Sequence, residues 1–332
     1  MQPCFTLTTL TRRRVLTGFA LGATALMPAV GLAQSWPAKT VTLVVGTPAG
    51  DAIDVYARAL ADQLAKQTGG TFIVENRAGA NGNISAESVL KAPADGTTLW
   101  IGTASMLTIN PAVFSQMRWK PTDFKPLVKG VEAPLVLVAH PSVPATSLEQ
   151  LAEWVRTQGG KSAYASFSPG TPSHFLGYQL GEKLKLELTH VPYKGTGPQV
   201  NDILAGQVPF GFTQLVAATP HIAAGKLRAI AVTGPQRSRF LPSVPTVAEL
   251  GQPDLTATIW FGLFAPASIP AATRDTIQAA AMKVQADPAY RARLQTLNFD
   301  VPDESGAVFE KSIAAESARW AAIVKATGFK AD

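Results

Sequence analysis

From Val41 onward the chain repeats one pattern: a short apolar run, a loop of small residues, then apolar positions at helical spacing. Val41-Thr42-Leu43-Val44-Val45 reads as a buried strand and Gly46 to Gly50 as a loop, after which Ile53, Tyr56, Ala57, Leu60 and Leu64 share one helical face. Asp51 or the residue before it starts this helix, Gly69-Gly70 ends it, and Thr71 to Glu75 is the next strand. That makes a β-α-β unit with a right-handed crossover. A second unit follows Pro141-Ser142-Val143-Pro144: a helix over Leu148 to Thr157, a strand from Ser162 to Ser166, and a helix carrying Phe175, Leu176, Leu180 and Leu184. The third copy is Glu187 to Val191, the loop Tyr193 to Gly197, a helix with Val200, Ile203 and Leu204, and the strand Val208 to Phe212. Leu227 to Thr233 is a further strand, Thr256 to Leu263 a long extended segment, and Ala271 to Phe329 is helical.

This alternation predicts an α/β protein. The helical tail needs a sheet to bury its apolar side, and the segment before it reads as a crossover. The tail is therefore expected back on the first lobe, with two chain crossings and a hinge. The length of 332 residues suits about two domains. With 46% hydrophobic and 16% charged residues, disorder, collagen and coiled coil are excluded.

The formal charge of +6 looks basic, but Arg12, Arg13 and Arg14 supply half of it from a leader without an acid. The remaining excess is too thin and scattered for a nucleic-acid footprint. Thr11-Arg12-Arg13-Arg14-Val15-Leu16 precedes an uncharged stretch from Val15 to Ala38, with Gly31-Leu32-Ala33 before Gln34. This looks like a twin-arginine export signal, residues 1–33, cleaved near Ala33/Gln34 into the periplasm. A retained membrane anchor is the alternative, because the run is long enough to span, though its Gly, Thr and Pro make it only moderately apolar. The only cysteine is Cys4, so the mature chain has no disulfide, thiolate nucleophile or cysteine-held metal. His140, His174, His190 and His221 form no i, i+4 pair, and a structural or solvated role is expected for each.

Three loops, near residues 46–54, 166–174 and 193–197, join strand ends to helix starts, the edge where ligands gather in open α/β sheets. Unpaired N–H groups there bind carboxylates without a basic side chain, and Ser166, Ser168, Thr171 and Thr196 add hydroxyls. The same Gly, Ser and Pro residues are also what ordinary turns use. Catalytic readings are weaker. There is no Gly-x-Ser-x-Gly elbow, and Ser166, His174 and Asp54 make a triad only on paper. No Gly-x-Gly-x-x-Gly or Walker pattern is present, so no cofactor is expected.

At these residues the sequence resembles the Bug family of periplasmic solute receptors, the binding proteins of tripartite tricarboxylate transporters. Pro48-Ala49-Gly50 with Asp54 and Ala57-Arg58 is similar to the family's first ligand loop, and Tyr164-Ala165-Ser166 with Gly170-Thr171 and His174 to its second. Val74-Glu75-Asn76-Arg77, Gly79 to Ile84, Ala94 to Leu99, His190 to Gly195, Ala224 to Arg228 and Val244 to Glu249 add matches from about Trp36 to Phe329. The resemblance implies a two-lobed periplasmic binding protein fold of type II-like form, with residues 34–138 plus 258–332 as one lobe and 139–257 as the inserted other. It also implies a cleft for a small carboxylate, held by backbone N–H groups, hydroxyls and waters. The candidate ligand-binding residues are then Thr47, Pro48, Ala49, Gly50, Asp51, Asp54, Ser105, Ser166, Ser168, Gly170, Thr171, His174, Lys194, Gly195, Thr196 and Thr213.

The chain departs from the family pattern at Thr47, Asp51, Ile53, Ser168 and Thr213-Gln214, which puts an ordinary di- or tricarboxylate ligand in question. Asp51 reads first as a helix cap and second as a ligand contact, and the two roles are not exclusive. The expected function is a monomeric periplasmic receptor that passes a small organic acid or amphoteric solute to membrane permease subunits. It needs no nucleic acid and no metal. A secreted serine hydrolase using Ser166 or Ser168, or an exported sensing receptor on the same fold, are the rivals.

Overall fold

The first predicted unit is present in a computed structural model that describes residues 36, 37, 39–159 and 161–331. The leader and its cleavage site lie outside the described residues. Strand β1 (Val41–Val45) leads into helix α1 (Ala52–Thr68) and β2 (Phe72–Asn76). The apolar stripe of α1 is buried at Ile53, Tyr56, Ala57, Leu60 and Leu64, and Gly69 closes the helix in the left-handed conformation. Next come α2 (Asn83–Leu90), β3 (Thr98–Thr103), a wide helical turn at Ser105–Ile109, α3 (Asn110–Val113) and the long strand β4 (Phe124–Ala139). The middle of the chain supplies α4 (Leu148–Thr157), β5 (Lys161–Ser166), α5 (Pro172–Leu184), β6 (Glu187–Pro192), α6 (Thr196–Leu204), β7 (Phe210–Gln214), α7 (Leu215–Ala223) and β8 (Arg228–Val232). It ends with β9 (Thr258–Pro266), α8 (Ala271–Ala286), α9 (Pro288–Gln295) and α10 (Gly306–Thr327).

The strands form one nine-stranded sheet, in the order β2-β1-β3-β9-β4-β7-β5-β6 with β8 also on β4. Its two ends repeat one design. On one side β1 lies parallel between β2 and β3, with β3 antiparallel to β9; on the other β5 lies parallel between β6 and β7, with β7 antiparallel to β4. Strand β4 serves both ends, pairing β9 through residues 124–134 and β7 and β8 through residues 135–139. One hydroxyl ties the crossing segments: Thr233 Oγ1 accepts from the Leu135 N–H at 2.8 Å and donates to the Ala257 carbonyl at 2.6 Å.

The described residues fall in one compact unit. The helical tail packs where its apolar side requires, with α8 on α1 and β4 and α10 on β4 and the 105–109 turn. No helix among the described residues is long and apolar enough to cross a membrane.

Strand β4 and helix α1 meet closely at Gly130 and Tyr56. Tyr56 is fully buried, and a Cβ built at Gly130 would lie 1.7 Å from its Oη and 2.3 Å from its Cζ. The ring has no room to step aside. Gly130→Ala is expected to cost about 2 kcal/mol in urea unfolding. A Gly130→Ala/Tyr56→Leu double variant should lose less than the two single losses added, because the smaller side chain makes the space. Strict additivity would show that the two positions do not compete.

Candidate functional site

The parallel strands of both ends of the sheet point their carboxyl ends at one cavity of about 920 Å³. The loop after β1 reaches it with Gly46, Thr47, Pro48 and Gly50, and the start of α1 with Asp51, Ala52 and Ile53. Thr103 and Ser105 follow β3; Phe167, Ser168, Pro169 and Thr171 follow β5; Tyr193 to Pro198 follow β6; Gln214, Val216 and Ala217 follow β7. Ligands of open α/β sheets occupy this edge because helix starts present N–H groups there.

Ten of the sixteen sequence candidates therefore line one cavity: Thr47, Pro48, Gly50, Asp51, Ser105, Ser168, Thr171, Lys194, Gly195 and Thr196. Ala49, Asp54, Ser166, Gly170, His174 and Thr213 are outside the lining. Several of these shape the wall from behind. Asp54 is 2% exposed and accepts from Arg58 Nε and Nη2 at 3.0 Å each, from the Gly50 N–H at 2.9 Å and from Asn76 Nδ2 at 2.9 Å. The same Asn76 amide donates to the Thr47 carbonyl, so Asp54 holds both ends of the first loop. Burial pushes its carboxyl up, but Arg58, the Gly50 N–H and Asn76 outweigh that and hold it below its ordinary value.

The histidines build the support under the second loop. His174 and His190 stack with ring centres 3.9 Å apart, Tyr164 stacks on His190, and Phe329 meets His174 edge-on. The Gly170 N–H donates to His174 Nδ1 at 3.2 Å, and Ser166 Oγ lies 2.6 Å from His190 Nε2 and 3.2 Å from the Ser168 carbonyl. Burial takes the His174 imidazole down to about 3, with the His190 charge acting in the same direction, and takes His190 down to about 4. Ser166 itself is fully buried and outside the cavity lining, with its partner His190 rather than His174. Asp54 is consumed by Arg58, Asn76 and Gly50. The paper triad is not assembled.

The helix starts that line the cavity are not alike. At α1, Asp51 Oδ1 accepts from the Ala52 N–H at 2.6 Å, so Asp51 caps the helix and lines the cavity at once. Burial raises the Asp51 carboxyl from its ordinary value, the Ala52 N–H opposing this and the Asp54 charge adding to it. At α5 and α6 the cap positions are Thr171 and Gly195, and neither gives a side-chain cap. Gly195 sits at φ 108°, where a side chain is strained, and this turns the start of α6 toward the cavity.

Sequence reading misses part of the wall. The Ala78 to Gly82 loop contributes a full side, and Met106, Ile259 to Phe261, Leu297 and Phe299 form apolar surface. Asn81 also joins two of the lining loops, its Nδ2 donating to the Pro169 carbonyl at 3.2 Å and its Oδ1 accepting from Ser168 Oγ at 3.4 Å. The Gly-Ala-Asn-Gly run at 79–82 is the available signal.

A mixed sheet whose parallel strands end at a cavity walled by helix starts has the layout of a small-molecule binding site. The chain matches the family described as "Tripartite tricarboxylate transporter family receptor" over residues 56–329, and it belongs to that family. Rpa4515 of R. palustris, solved with adipate, is 31% identical, with 89% of this chain and 99% of that one covered and a TM-score of 0.82. The periplasmic binding protein BugD is 30% identical over 89% of this chain and 99% of its own, with a TM-score of 0.78. MatC of Rhodopseudomonas palustris, with bound malate, is 31% identical over 87% and 99%, with a TM-score of 0.77. The Bug resemblance thus holds, and the family is one of binding proteins rather than enzymes.

Proposed function

We propose that this protein is an exported receptor that encloses a small carboxylate-bearing solute in the cavity and hands it to membrane permease subunits. The observation that carries this reading is the set of helix starts without a side-chain cap, at α5, α6 and α7, facing one cavity beside Ser168, Thr171, Thr196 and Lys194. At α6 the Thr196 and Gly197 N–H groups come before Pro198, and with the partial positive charge of a helix start they suit a carboxylate without a buried counter-ion. The adipate and malate held by the relatives support the same class of ligand.

The receptor works in the periplasm as a monomer, its leader removed near Ala33. Residues 34–138 plus 258–332 form one lobe and 139–257 the other, and they close on the solute about the β4 and β9 segments. Closure follows only if the solute makes more contacts in the closed state than in the open one. The ligand contacts come from the ten lining candidates, with Asp54, Ser166 and His174 supporting the loops from behind.

Isothermal calorimetry with a panel of short carboxylic acids, amino-substituted ones included, should give saturable one-to-one binding without turnover. Small-angle scattering should show compaction with the binder. A panel in which no carboxylate binds would overturn the reading.

A further inference from the structure

Among the described residues, the cavity wall carries two charged side chains, Asp51 and Lys194, and neither forms an ion pair. Oδ1 of Asp51 takes the Ala52 N–H, while Oδ2 has no partner among the described residues. Arg58, one turn further along α1, is spent on Asp54 and Asn76. The half-buried Asp51 carboxylate therefore faces the cavity without a cation of the protein's own. Burying a charge without a partner is costly, and a group of opposite charge removes that cost.

The helix starts sort the solute's ends. At α1 the N–H groups of Gly50 and Ala52 already hold Asp54 and Asp51, so an incoming carboxylate there meets a fixed negative charge. At α5 and α6 no side chain caps the helix, and Lys194 stands beside Gly195. A carboxylate is drawn to the second position and repelled from the first. The cavity wall also carries Met106, Phe261 and Phe299, which offer no polar group to a connecting chain.

We propose that the solute bears an ammonium group as well as a carboxylate, at opposite ends of a short apolar chain, and that Asp51 selects it by pairing with the ammonium. The inference rests on the receptor reading above. An ammonium partner would offset the burial that raises the Asp51 carboxyl.

Calorimetry on matched pairs tests the proposal: 4-aminobutanoate against succinate, 5-aminopentanoate against glutarate, and 6-aminohexanoate against adipate. At the chain length that binds best, the amino acid should bind tighter than its dicarboxylate by about ten-fold or more. Asp51→Asn keeps an acceptor for the Ala52 N–H, so the fold is preserved and the ratio should fall to near unity through weaker amino-acid binding. Dicarboxylates binding as tightly or more tightly at every length would overturn the proposal and leave the receptor reading intact. Absence of binding in both series would overturn both. An equal loss for both members of a pair in Asp51→Asn would make Asp51 a helix cap only, and would overturn the proposal.

Discussion

Asp54→Ala should cost about 3 kcal/mol of stability and weaken solute binding at least about ten-fold, whereas Arg58→Met should cost under about 1 kcal/mol. The contrast follows from exposure. The Arg58 side chain is half exposed, so losing Asp54 returns a charge to water. The Gly50 N–H and the half-buried Asn76 amide instead lose the carboxylate that ties them to each other. With Asp54 gone, Asn76 loses its anchor, the Thr47 carbonyl loses its fixed donor, and the loop over residues 47–50 is free to leave the cavity wall. Urea unfolding and calorimetry on the two variants measure both effects. Equal losses in Arg58→Met would place the contribution in the ion pair instead of the loop.

Stability should fall by about 3 kcal/mol between pH 6.5 and 4.5 because of the stacked His174 and His190. In the unfolded chain both rings take a proton near 6.5, whereas in the fold they do so only near 3 and 4. The unfolded state thus binds more protons throughout this window, and stability declines as pH falls through it. Full stability is present above about 6.5. A tenfold difference in proton affinity between fold and unfolded chain corresponds to about 1.4 kcal/mol, and the magnitude is reduced because His190 is only half-buried and partly screened by water. The window lies above the range in which most carboxylates titrate. Urea unfolding across it should show the decline in the native protein and a nearly flat profile in His174→Asn/His190→Gln, which keeps an acceptor for the Gly170 N–H and a donor for Ser166. Parallel declines in the two proteins would assign the effect elsewhere.

The β1-α1-β2 unit is legible in the sequence because its signals agree. The stripe from Ile53 to Leu64 has one period, Asp51 and Gly69 mark its ends, and the flanking strands are uninterrupted. The strand β4 is not legible, since Pro126, Gly130 and Pro134 with Lys125, Lys129 and Glu132 look like breakers and surface. The fold tolerates them by shifting register at Pro126/Val128 and Lys129/Val131, and by pairing Lys129 with Glu132 and Glu304. Helix α7 escapes sequence reading for a different reason: it is apolar nearly all round and holds Pro220, so no stripe stands out.

Within the cavity, the loops after β1, β5 and β6 are readable from small residues at strand ends. Leu297 and Phe299 are not, because they reach the wall from the helical tail. His190 stands out in the sequence only as part of a motif, and its stacking with His174 depends on which strands are neighbours.

The contact of Asn81 with Ser168 and Pro169 consists of two long hydrogen bonds, 3.2 and 3.4 Å, and such bonds contribute about 1 kcal/mol each at most. Asn81 can leave Ser168 and Pro169 at a cost of that order, so this part of the wall gives way more easily than the loop that Asp54 holds. Once a solute is inside, its own contacts set the residence time, and a poorly matched molecule leaves as quickly as it came. Under the proposed receptor function, discrimination between solutes is then expressed in the departure rate.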